Sequence, residues 1–198
     1  MTSTRERHGT RSFQFDPDRI AYFEAHGWRA YYDRAWLRVL RLLVGLCQEQ
    51  FHIPFPTSLL AAYYATRAAI AWVPLDHDVY AVRAYYERFY RLARRYSGLA
   101  LDPARAGLLE LRYNDDHRRL VGNPDKREFV DTMTSLHAEL FGIAPADARE
   151  SAELRVEAAN LVDGITGKTS TDVEGDWRRL EDRLRRCYRS IRAAMARV

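Results

Sequence analysis

Glu110, Tyr113, Asn114 and His117 recur at i, i+3, i+4 and i+7. On a helix that spacing lines up a carboxylate, a phenol, an amide and an imidazole along one strip. A second imidazole, His137, falls on the apolar stripe Val130, Met133, His137, Leu140 of the following segment. Gly122-Asn123 joins the two segments, so they form an antiparallel hairpin in which Glu110 faces Ser135 or His137 across an interior seam. Two chemistries fit. One is a carboxylate–histidine metal or acid–base site built from Glu110, His117 and His137, with Asp131 or Glu139 as further ligands. The other is a pair of interior histidines hydrogen-bonded to Glu110 and Tyr113, without catalysis.

The metal reading is short of ligands. Glu49-Gln-Phe-His52 has the Glu-x-x-His spacing of di-iron bundles. Such a site needs two of these pairs and a Glu from each of two more helices, and this chain has one, at a helix end beside prolines. No metal or cofactor is therefore assigned. Other motifs are weaker. Asp76-His77-Asp78 reads as helix capping, and Asn114-Asp115-Asp116-His117 lacks a second acidic motif. Gly167-Lys168-Thr169 lacks the first glycine and the preceding strand of a phosphate loop.

Arg67 stands out for its surroundings. It is the one charge in TSLLAAYYATRAAIAWV, Thr57 to Val73. A helix apolar on nearly every side is expected in the interior, and its arginine then needs a carboxylate or a bound anion. Glu110, Glu49 and Asp33 are the candidate partners. The expected ligand-binding residues are thus Arg67, Glu110, Tyr113, His117 and His137.

These residues need helices to hold them, and the punctuation is helical throughout. Asp16-Pro17, Asp102-Pro103 and Asn123-Pro124 each put a capping side chain before a proline suited to a first turn. The patterning predicts helices over 17–26, 28–51, 57–73, 77–97, 103–121, 124–141 and 146–165. A last one carries the stripe Trp177, Leu180, Leu184, Cys187, Tyr188, Ile191, Met195. No segment alternates with the period of a strand. The expected fold is all-α: a single-domain helical bundle of about six or seven helices around a buried central helix at 57–73, spanning residues 16–198 behind a flexible tail at 1–15.

Bulk properties narrow the function classes. The chain has 198 residues, 47% apolar and 29% charged, with a net charge of +4. Lys126 and Lys168 are the only lysines among 31 basic residues. The arginines alternate with acidic residues, including along the basic last helix, so they read as solvated faces and point away from nucleic acid. Cys47 and Cys187 sit on apolar stripes without a CxxC, the N-terminus lacks the apolar core of a secretory signal, and the Thr57–Val73 run is too short for a span. The expectation is a cytoplasmic protein without a membrane partner. Two functions stay open: a non-enzymatic bundle that binds a small anionic or apolar ligand or a second copy of itself, and a helical metalloenzyme.

Overall fold

Four aspartates start four helices, and one of them, Asp172, accepts from the backbone N–H of Gly175 at 2.9 Å. Asp16 accepts from the backbone N–H of Asp18 at 2.9 Å, Asp78 from that of Tyr80 at 2.9 Å and Asp102 from that of Ala104 at 2.9 Å. Each satisfies amides that the first turn leaves without a partner. The computed structural model describes residues 13–197, which form helices and no strand. The helices are α1 (Pro17–Tyr32), α2 (Trp36–Phe51), α3 (Thr57–Trp72), α4 (Val79–Ser97), α5 (Pro103–Leu120), α6 (Arg127–Phe141), α7 (Pro145–Thr166) and α8 (Val173–Met195).

Two boundaries differ from the sequence pattern. α1 runs through Gly27 to Tyr32. A helical glycine costs only about 1 kcal/mol, and the buried stripe Ile20, Ala21, Glu24, Ala25 continues past it to Ala30. The chain breaks instead where Arg34 takes φ 56°. α6 starts at Arg127 rather than 124, because Asn123 and Asp125 accept from backbone N–H groups two residues on and form successive turns.

Each helix packs on its neighbour in sequence, and α8 returns to pack on α1, closing a ring of eight. The ring holds one bundle, with two more helices than the lower count expected. It has no central helix. α3, expected at the centre, is one of the ring members and buries only Ser58, Ala61, Ala62 and Ala68. These small side chains lie on one face and are buried, while the larger Leu59, Leu60, Tyr63 and Ile70 are exposed. Side-chain size, not hydropathy, decides which face of α3 goes inward.

Most of the expected tail, residues 1–12, lies outside the described residues. The rest is not a tail. Phe15 is 5% exposed and packs on Phe141 and Tyr188, with ring centroids at 5.7 and 6.3 Å. Among the described residues no helix is long and apolar enough to cross a membrane.

Candidate functional site

In place of a central helix the ring encloses a cavity of about 160 Å³, and all eight helices contribute to its wall. Leu43 and Leu46 of α2 and Ala65 of α3 supply one apolar wall; Met133, Leu136 and Leu140 of α6 supply another. Between them project polar groups from five other places: Glu24 of α1, Gln50 of α2, Glu110 of α5, Arg155 of α7 and Tyr188 of α8.

These groups are held by one another. Glu24 and Arg155 form an ion pair with side chains only 9% and 11% exposed. The Tyr188 hydroxyl donates to the second Glu24 oxygen at 2.8 Å. The Arg155 guanidinium also lies over the rings of Trp28 at 4.6 Å and Tyr113 at 5.7 Å. Burial opposes its charge, but Glu24, Tyr113 and Tyr188 outweigh that and raise its pKa well above the ordinary value. The Arg155 Nε has no hydrogen-bond partner among the described residues.

Glu110 is held differently. It accepts the Tyr90 hydroxyl at 2.7 Å, and no Arg, Lys or His among the described residues forms an ion pair with it. Burial raises its pKa, against the lowering effects of the Tyr90 hydrogen bond and the charge of Arg155. One turn earlier, Gly107 gives α4 room: a Cβ there would sit 3.1 Å from the Glu87 backbone nitrogen. That close approach carries Tyr86 and Tyr90 to α5, where Asn114 donates to the Tyr86 oxygen at 3.0 Å.

His137 is 4% exposed, and its Nδ1 lies 2.8 Å from the Ser151 hydroxyl. Ser151 also bonds the carbonyl of Ala148 at 2.8 Å. One hydroxyl proton cannot serve both, so a hydroxyl given to Ala148 makes His137 Nδ1 the donor to Ser151 Oγ. Burial first, and then the charge of Arg155, lowers the His137 pKa to about 3, which keeps the ring neutral.

Of the residues expected to bind a ligand, Glu110, Tyr113 and His137 meet at the cavity. His117 does not line it. Its Nε2 lies 2.9 Å from Asp163 and its ring stacks on Phe129 at 5.4 Å, on another side of α5. Arg67 is a correction. It is exposed on α3, with its guanidinium 5.2 Å from the Tyr85 ring and 5.9 Å from that of Tyr63, and no carboxylate among the described residues within ion-pair distance. Its expected partners are placed elsewhere: Glu49 pairs with Arg19 at 2.7 Å, Glu110 faces the cavity, and Asp33 ends α1. His52, the other half of the Glu-x-x-His pair, donates to the Gln14 carbonyl at 2.7 Å. Among the described residues no three His, Cys, Asp or Glu side chains converge to hold a metal ion.

Glu24, Tyr90, Arg155 and Tyr188 are the site residues that sequence reasoning missed. A signal was present. Glu24 continues the stripe Ile20, Ala21, Ala25, and Arg155 continues Ala148, Ser151, Ala152, Ala159. A charge on the buried register of an amphipathic helix is a sharper marker of an interior ion pair than a charge in an apolar run. A roomier concavity of about 490 Å³ lies at the α5–α6 turn, but it is an open surface cleft whose charges pair with each other, Arg119 with Glu128 and Arg127 with Asp125. No family model, curated protein or solved structure matches the chain.

Proposed function

We propose that the protein binds a small molecule, without catalysing its conversion, in the cavity at the centre of the helix ring. The observation that carries this reading is the combination of a partly enclosed space with apolar walls and a few convergent polar groups, which is the usual make-up of a ligand site. A packing defect would be dry and apolar. This cavity instead holds Glu24, Glu110, Arg155 and His137, at positions where each helix could have placed a leucine. Its volume matches that of cavities that admit a benzene-sized guest, so the ligand has roughly six to eight non-hydrogen atoms. The polar side chains are engaged with Tyr, Ser and one another rather than arranged as a nucleophile and its base, which favours binding over catalysis.

The test is a ligand-observed NMR screen of fragments of this size, run on the full chain and on Ala65→Phe, which fills the cavity from α3. Fragments that compete with one another and lose their signal in Ala65→Phe support the reading. Absence of binding at millimolar fragment, or binding that persists unchanged in Ala65→Phe, overturns it.

A further inference from the structure

The charges around the cavity do not balance in pairs. Glu24 and Arg155 neutralise each other, and the remaining Glu24 oxygen is taken by Tyr188. Among the described residues Glu110 has one neutral donor, Tyr90, and no ion-pair partner of its own. A carboxylate in a low-dielectric interior is costly unless a cation or several donors meet it. Aromatic rings share the cavity wall with Glu110. Phe51, Phe89 and Tyr90 meet edge to face, with centroids 5.8 Å apart for Phe51 and Phe89 and 5.0 Å for Phe89 and Tyr90. Together with Tyr86 and Tyr113 they line the same cavity as Glu110, whose carboxylate accepts the Tyr90 hydroxyl. A carboxylate beside several aromatic faces is the arrangement that holds an ammonium, through an ion pair and the negative ring faces.

Building on the binding reading above, we infer that the ligand is a small organic amine, bound as its cation, with the ammonium on Glu110 among the rings of Tyr86, Phe89 and Tyr90 and its apolar body against α2 and α6. The charge count selects this class. A cation brings Glu24, Arg155 and Glu110 to neutrality. An anion, the class that a buried Arg67 would have called for, has to share Arg155 with Glu24 and lie near the uncompensated Glu110. The unpartnered Arg155 Nε is left to bond an ether or hydroxyl oxygen, if the amine carries one.

Three probes of one shape and different charge test the inference: benzylamine, benzyl alcohol and benzoate, titrated calorimetrically into the full chain at pH 7.5. Benzylamine binds tighter than benzyl alcohol by on the order of tenfold, the size of one charge-assisted hydrogen bond, and benzoate binds weakest. Glu110→Gln keeps an acceptor for Tyr90 and removes the charge; it abolishes the preference for the amine over the alcohol. Phe89→Leu, which leaves every polar group in place, weakens the amine several-fold more than the alcohol. The inference is overturned if benzyl alcohol or benzoate binds as well as the amine, or if the amine keeps its affinity in Glu110→Gln; in either case the binding reading stands. If none of the three binds at millimolar concentration, the binding reading fails, and this inference with it.

Discussion

Replacing His137 by asparagine changes how the stability of the fold depends on pH, and the size of the change follows from the cavity. The His137 imidazole is neutral in the folded protein down to about pH 3, whereas its ordinary value is 6.5. Below pH 6.5 the unfolded chain therefore binds a proton that the folded protein refuses. The stability tied to the neutral ring is complete above pH 6.5 and is lost as the pH falls towards the folded value. Each unit in that window costs about 1.4 kcal/mol, so acidification from pH 7.5 to 5 removes about 2 kcal/mol and to pH 4 about 3 kcal/mol. Glu110 slopes the other way: its folded pKa is raised above 4.5, so its contribution is fullest in acid and is lost as the pH rises through the folded value. That slope is common to both proteins and cancels in the difference. His137→Asn keeps a donor at the place of Nδ1 for Ser151 and has no proton to gain. Urea unfolding at pH 7.5, 6, 5 and 4 should show the wild type losing about 2 kcal/mol more than the variant between pH 7.5 and 5. Equal losses, or an imidazole that titrates near 6.5 by NMR in the folded wild type, would refute the reasoning.

Arg155→Met leaves Glu24 buried without a cation and should cost about 3–5 kcal/mol in urea unfolding; adding Glu24→Leu and Tyr188→Phe, so that no polar atom is orphaned, should restore most of it. Arg67→Ala removes only an exposed cation from the rings of Tyr63 and Tyr85 and should cost less than about 1 kcal/mol by the same measurement. Phe15→Ala should cost about 3–5 kcal/mol, because the ring fills the core beside Phe141 and Tyr188 rather than belonging to a loose tail. Cys47 and Cys187 are buried, and burial raises the Cys47 thiol to about 12 and Cys187 higher still. Neither should react with a thiol reagent at pH 8 in the folded protein, and both should react at once in denaturant.

Much of this fold is legible in the sequence because the information is local. Asp16, Asp78 and Asp102 cap helices with their own side chains, and the stripe from Trp177 to Ile191 is the buried face of α8. The hairpin of α5 and α6 is also short-range, and Glu110 and His137, one on each of its helices, both line the cavity. What the sequence does not carry is closure. That α8 packs on α1, and that Tyr188 reaches Glu24 across it, depends on how eight helices bend round together, which no window of residues encodes. His117 shows the same limit: its spacing from Glu110 is helical, but it reaches Asp163 of α7, which is not a neighbour of α5 round the ring, while Glu110 lines the cavity.

Arg67 misled for a physical reason that also explains the ring. Hydropathy counts how much of a helix is apolar, while packing asks which face lets another backbone come close. In α3 the small residues Ser58, Ala61, Ala62 and Ala68 make that face, and Arg67 lies beside it on the exposed side. A ring of helices that meet through such narrow seams brings its members near enough to close, and it leaves space in the middle that no side chain fills. The interior polar residues then have somewhere to point. Glu110, with no ion-pair partner among the described residues, is the residue for which burial is hardest to explain by stability alone, since Gln would keep the Tyr90 hydrogen bond without the buried charge. A carboxylate retained under those conditions at the wall of a cavity is the feature that the proposed binding of an amine would account for.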